Sequence, residues 1–252
     1  MRASAALTSG ALALTGLAVP AAHAAPAEPI VLSNFSVNGG KGIHIGSLGS
    51  GFTITFSASH PANVERNSVL VLRQGSGELL QPYEVQGNMC KAVSDTRSDC
   101  TATFHVETLN YDIKNRNAGD WRTWLRMKST DHSSALESDN VKTVKILRAA
   151  KLTANASPEP VRRGATVTVT GDLTRADWDA FADQGYAAQP VKLQYKKGGS
   201  STWTTLKTVK TDRYGKLKTT VKATADGSYR YGFAGTSTTA AVNSSADHVD
   251  VR

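Results

Sequence analysis

Cysteine, histidine and carboxylate side chains are where chemistry could start in this 252-residue chain, and they are thinly spread. Cys90 and Cys100 are its two cysteines, separated by the polar, turn-rich segment Lys91-Ala92-Val93-Ser94-Asp95-Thr96-Arg97-Ser98-Asp99. Two thiols cannot build a four-cysteine zinc site, and their spacing is not the C-x-x-C of a redox centre. In an oxidising compartment the pair reads as a structural disulfide that clamps the neck between two adjacent strands. The histidines are His23, His44, His60, His105, His132 and His248. No two of them stand four apart, and the sequence holds no H-E-x-x-H, no G-x-S-x-G and no P-loop. No catalytic residue is assigned and the chain reads as a non-enzyme, with a hydrolase assembled from distant residues as one alternative.

Carboxylates gather twice. Asp172, Asp177, Asp179 and Asp183 crowd one stretch, and Asp131, Glu137 and Asp139 are expected in one loop. Calcium needs about six to eight oxygen ligands, so such segments are candidates. Neither has the EF-hand pattern, and on the helical turn expected over Thr174–Ala182, capped by Thr174, residues 177 and 179 diverge. Caps and loop charges are therefore expected, no cofactor is assigned, and a calcium site at Asp177, Asp179 and Asp183 is the alternative.

Positive charge is the stronger chemical signal. Of the net +8, residues 150–252 contribute 15 Lys and Arg against 9 Asp and Glu, whereas residues 25–149 hold 13 against 12. In Lys216-Leu217-Lys218-Thr219-Thr220-Val221-Lys222 a strand period puts Lys216, Lys218 and Lys222 on one side and Leu217, Thr219 and Val221 on the other. Lys192 and Lys196 stand opposite Val191, Leu193 and Tyr195 in the same way, and Lys207 and Lys210 add to them. The expectation is one solvated sheet face, rich in Lys and Thr, that contacts anionic polymers. Among the aromatics, Trp203 is expected between sheets, Trp124 in a core and Trp121 over a sheet edge. The alternative for Arg122-Thr123-Trp124-Leu125-Arg126 is an exposed ladder that stacks on sugar rings or anionic polymer.

The elements that must position these residues are strands. Phe52-Thr53-Ile54-Thr55-Phe56, Cys100–Val106, Ala165–Thr170, Val191–Lys196 and Leu217–Lys222 alternate with period two, while Ser68–Leu72 is a continuous run suited to burial on both faces. Gly, Asn, Asp and Ser clusters separate them, as at Asn38-Gly39-Gly40 and Gly198-Gly199-Ser200. The fold class expected is all-β, two tandem antiparallel sandwiches, with a seam near residue 149 and almost no linker. Residues 1–24 have the pattern of a cleaved signal peptide: Arg2, an apolar run from Ala5 to Val19, then Pro20 and Ala22-His23-Ala24. The run is too short to span a membrane. The sandwiches then occupy 25–149 and 150–252, outside the cell, where cysteines oxidise.

Longer motifs carry a resemblance. Ser157-Pro158-Glu159-Pro160-Val161, Gly164–Gly171, Trp203-Thr204-Thr205-Leu206, Asp212-Arg213-Tyr214-Gly215 and Gly227-Ser228-Tyr229-Arg230-Tyr231 resemble the C-terminal half of a group of secreted actinobacterial proteins with two immunoglobulin-like domains. Val37-Asn38-Gly39-Gly40-Lys41, the Cys90 to Cys100 segment and Asp120-Trp121 are similar to the N-terminal half of the same group. The resemblance implies two immunoglobulin-like sandwiches, and some members carry a calcium-binding label. The function expected is a secreted, non-enzymatic binding or structural protein of the cell envelope or extracellular space. Its partner would be an anionic envelope or matrix polymer. Neither a nucleic-acid partner nor a membrane span beyond the signal segment is implied, and no residue pattern sets an oligomeric state.

Overall fold

A computed structural model describes residues 27–75, 77–82, 89–110 and 112–252, so the expected signal segment at 1–24 lies outside the described residues. In the first half the alternating runs become β1 (Val31–Val37), β2 (Ile43–Ile45), β3 (Ser50–Ser59), β4 (Val69–Arg73), β5 (Leu79–Leu80), β6 (Cys90–Ser94), β7 (Arg97–Val106), β8 (Gly119–Lys128), β9 (Ala135–Ser138) and β10 (Thr143–Arg148). One sheet has the order β1-β3-β7-β6 and the other β2-β10-β8-β4-β5, with β9 also on β8. All pairs are antiparallel except β2 with β10. This is the strand order of an immunoglobulin-type sandwich.

Period two decides what is inside. Phe52, Ile54 and Phe56 of β3 face Phe104, Ala102 and Cys100 of β7 across the ladder, and all six are buried. The rings of Phe52 and Phe104 stack at 4.8 Å. Cys90 and Cys100 are directly opposed in register between β6 and β7 and form a disulfide, as their spacing led us to expect. The bond lies within one sheet. Trp121 is fully buried on β8 and donates its indole N–H to the Asn117 carbonyl at 2.9 Å. It is a core residue and not an edge cover, because it shares the inward face of β8 with Thr123, Leu125 and Met127.

The second half forms β11 (Ala150–Leu152), β12 (Asn155–Ser157), β13 (Thr166–Asp177), β14 (Ala182–Gly185), β15 (Pro190–Lys197), β16 (Thr204–Lys210), β17 (Lys216–Lys222), β18 (Gly227–Phe233), β19 (Val242–Asn243) and β20 (Asp247–Val249). Strand β13 organises one sheet, pairing with β11, β12, β14 and β17. The other runs β16-β15-β18, with β19 and β20 on the far edge of β18. Between them lie Val167, Val169, Leu193, Leu217 and Tyr231, all buried. Tyr231 spans the sandwich, donating its hydroxyl to the Val169 carbonyl at 2.9 Å, and burial pushes its pKa up to about 12.

The helical turn expected over 174–182 does not form. β13 continues to Asp177 and doubles back into β14, with Thr174 opposite Gly185 and Asp177 opposite Ala182. Phe181 takes a left-handed φ of 56° in the turn. Within β13 the buried positions shift from Val167, Val169, Gly171 and Leu173 to Ala176. That change of phase turns the end of the hairpin away from its own core. Ala176 and Trp178 pack in the hydrophobic core of the first sandwich.

The two sandwiches meet around Arg148 and Ala149. The Arg148 N–H donates to the Thr238 carbonyl, its carbonyl accepts from the Ala240 N–H, and Ala149 donates to Ile45. The Arg148 side chain is buried; its Nε donates to the Ala176 carbonyl at 2.5 Å and a terminal nitrogen lies 3.7 Å from Asp177. Trp178 is fully buried, its backbone N–H bonded to Asn115 Oδ1 and its indole to the Ile45 carbonyl.

Candidate binding face

The lysines singled out from the sequence do not share one face; they divide between the two outer faces of the second sandwich. Lys216, Lys218 and Lys222 project from β17, whose other side buries Leu217. Lys192 and Lys196 project from β15 in the opposite sheet, whose alternate residues Val191 and Leu193 are buried. The period fixes which side of its own strand a residue takes, but not which strands become neighbours. Lys207 belongs to neither face. It stands opposite Leu193 on the inward side of edge strand β16 and donates from Nζ to the Thr220 carbonyl at 2.7 Å, closing the sandwich edge.

The two faces differ in electrostatics. On the β13–β17 side Lys216 is paired with Asp172 at 2.7 Å, and Lys222 donates to the Thr166 hydroxyl at 3.0 Å. The hydrogen bond that Lys216 donates to Asp172, and the charge of that carboxylate, hold the Lys216 pKa above the usual lysine value. On the β15–β18 side the register places Lys210, Lys192, Lys196 and Arg230 outward, and their cross-strand companions are Pro190, Thr208, Gly232, Ser228 and Gln194. Among the described residues none of these four cations forms an ion pair with a carboxylate.

Trp203 completes this second face. It lies on the outer surface between β15 and β16 and not between the sheets. The Arg230 guanidinium carbon is 4.1 Å from the ring centroid and Lys196 Nζ is 5.2 Å from it. The residue follows the Gly198-Gly199 turn, outside the alternating run, so strand period could not assign it a side. Arg230 Nε also donates to Gln194 Oε1 at 2.8 Å. The first sandwich repeats the pairing on the outer face of β8: Trp124 is outward and half-buried, with Arg73 at 4.7 Å and Arg126 at 6.0 Å from its ring. Trp124 is thus not a core residue, because the inward face of β8 is already occupied by Trp121, Thr123 and Leu125. Here, however, Arg73 is paired with Asp139 at 3.5 Å.

The acidic candidates are engaged with the protein. Asp177 accepts from Asn115 Nδ2 at 2.7 Å and from the N–H groups of Asp179 and Ala180. Burial alone would push its pKa up, but the Asn115 and backbone hydrogen bonds and the charge of Arg148 outweigh this and hold it low. Asp179 accepts from the Asn115 N–H at 3.4 Å, and Asp183 pairs with Lys151 at 2.5 Å. The three sit along one β-hairpin. Asp131, Glu137 and Asp139 do not form one loop: Asp131 is in a turn and Glu137 on β9, opposite Arg126. The Ser129 and Ser133 side chains and the Ser133 N–H hydrogen-bond to Asp131 and lower its pKa to about 2. Among the described residues no three His, Cys, Asp or Glu side chains converge in a metal-holding group, and no helix is long and apolar enough to cross a membrane.

No family model and no curated protein matches the chain. Solved structures similar to it include the D0-D1 domain of intimin, at 15% identity over 87% of this chain and 98% of that one, with a TM-score of 0.29. The fibronectin(III)-like modules of CbhA from Clostridium thermocellum match at 11% identity over 86% of this chain and 93% of that one, with a TM-score of 0.33. Dimeric latent PorU from Porphyromonas gingivalis matches 89% of this chain at 11% identity and a TM-score of 0.31, and the chain spans 20% of PorU's length. The assignment of the fold rests on strand order: the chain is all-β and its sandwiches are immunoglobulin-like.

Proposed function

We propose that this is an extracellular, non-enzymatic binding protein that holds anionic polymers on the outer β15–β18 face of its second sandwich. One observation carries the reading: Lys192, Lys196, Lys210 and Arg230 share that face, and none of them is ion-paired with a carboxylate among the described residues. Four unpaired cations on a surface three strands wide repel one another, and a polyanion relieves that repulsion by replacing mobile counterions with fixed ones. Affinity then comes from charge density and needs no deep pocket. The disulfide between Cys90 and Cys100 favours an oxidising compartment outside the cytosol.

The test is retention of the intact chain on immobilised polyanions across a salt series. Binding should be strong at low ionic strength and fall steeply as the screening length drops below about 10 Å. Replacing Lys192, Lys196 and Lys210 together with Gln should weaken low-salt retention several-fold and leave the thermal melt nearly unchanged. If the unmodified protein passes through every polyanion column at low salt, the reading is wrong.

A further inference from the structure

We infer that Arg230 is the anchoring residue of this face and that its partner is a carboxylate-bearing polysaccharide; the inference rests on the polyanion reading above. Arg230 differs from the surrounding lysines in being fixed before any ligand arrives. Trp203 stacks under its guanidinium at 4.1 Å, and Gln194 Oε1 takes its Nε–H at 2.8 Å. The guanidinium is thus engaged within the protein through Nε, and the side chain is half-buried. A guanidinium presents two parallel N–H groups that match the two oxygens of a carboxylate, and holding the fork in place removes much of the ordering cost of binding. Lys196 lies over the same indole at 5.2 Å, so two cations share one ring, neither ion-paired among the described residues, and a bound oxyanion would be attracted by both.

The neighbours of Arg230 point to sugar as the carrier of that carboxylate. Gly232 leaves space on the face that side-chain amides enter: a Cβ there would come within 2.8 Å of Asn243 Oδ1 and 3.5 Å of Gln194 Oε1. Two carboxamides therefore converge over the strand one position along the face from Arg230, with the partly exposed edge of Trp203 on the other side. Amides offer donors and acceptors to ring hydroxyls, and an indole offers an apolar surface to the C–H face of a pyranose. A polyphosphate could accept from the cations and the amide N–H groups but has no C–H face to lay on the indole.

The experiment compares the intact protein with Arg230→Lys and Trp203→Ala on polygalacturonate, linear polyphosphate and a neutral polysaccharide at fixed low salt, each protein first shown to melt normally. Arg230→Lys keeps the charge and loses the fork, so affinity for polygalacturonate should fall about tenfold. Trp203→Ala should act in the same direction by releasing the guanidinium. Binding of Arg230→Lys equal to that of the unmodified protein would overturn the anchor while leaving the polyanion reading in place. Tighter binding to polyphosphate than to polygalacturonate would overturn the assignment to a sugar acid. No binding of the unmodified protein to either polyanion would mean that the underlying reading, and not Arg230, had failed.

Discussion

The indole N–H of Trp178 donates to the carbonyl of Ile45 at 3.1 Å, joining residues 133 positions apart that belong to different sandwiches. Trp178 grows from the β13–β14 hairpin of the second sandwich, yet its side chain is fully buried in the core of the first. The seam at Ala149 is therefore a packed junction, in which the Trp178 ring acts beside the hydrogen bonds of Arg148, Ala149 and Asn115.

Trp178→Ala should destabilise the first sandwich by about 3–5 kcal/mol, the usual cost of truncating a buried large aromatic. Calorimetry should find that the unmodified protein melts with the two halves coupled and that the variant melts in two resolved steps. Limited proteolysis should cut the variant near Ala149 and spare the parent, whose backbone there is hydrogen-bonded on both sides. A single unshifted melt in the variant would show that the ring contributes nothing to the junction.

Removing the disulfide tests the first sandwich by itself. Cys90 and Cys100 close a loop of roughly ten residues, and a loop that short contributes about 2–3 kcal/mol in the chain-entropy account. In the Trp178→Ala background, where the two steps are resolved, a double replacement by Ser should lower the transition of the first sandwich by several degrees. The second should move little, because its core is built from Val167, Leu193, Leu217, Tyr231 and their neighbours. Alkylation of freshly produced, undenatured protein should find no free thiol.

What the residues alone could reveal follows from which interactions are local. The alternation in Phe52–Phe56 and Leu217–Lys222 gives each strand and its buried side, since period two is a property of one strand. The disulfide was legible for a similar reason, with its partners ten positions apart across a tight hairpin. Partnering between strands is not local. Lys192 and Lys216 each took the outward side of a strand, but the strands went to opposite sheets. Trp203 and Trp178 escaped for a related reason: one lies in the connection between β15 and β16, outside any period, and the other sits past a phase shift in β13 that only the neighbouring sandwich explains. The run at 174–182 lost its expected helical turn to pairing with β14, a tertiary contact that overrides local capping.

Acid should loosen the junction. Asp177 has its pKa lowered by the Asn115 and backbone hydrogen bonds and by Arg148, against the opposing effect of burial. A carboxylate depressed in the folded state contributes stability that is fully present above its unfolded value of about 3.9 and is lost as pH falls through the lower folded value. Stability should therefore hold from neutrality to about pH 4 and decline below it. Asp177→Asn should flatten that decline and cost stability at pH 7, since Arg148 would lose its charged neighbour while remaining buried. An identical acid limb in the variant and the parent would assign the decline to other carboxylates, with Asp131 and Asp99 the next candidates because both are also lowered.

The two basic faces should differ in what they offer a polyanion. Lys216, Lys218 and Lys222 form the most regular lysine pattern in the sequence, yet replacing all three with Gln should weaken polyanion retention less than replacing Lys192, Lys196 and Lys210. Lys216 is already neutralised by Asp172, and Lys222 is held against Thr166, so the β17 face offers a ligand less free charge than its spacing implies. An exposed pair contributes little to stability, so Asp172→Asn should leave the melt within a degree or two. It should also release Lys216, converting a paired lysine into a free one. Low-salt retention should then rise modestly, and the increase should vanish when Lys216→Gln is added. If the β17 triple variant instead loses most of the retention and the β15–β16 triple variant keeps it, the binding face is the one with the regular lysine spacing, and internal pairing does not govern which cations a polymer meets.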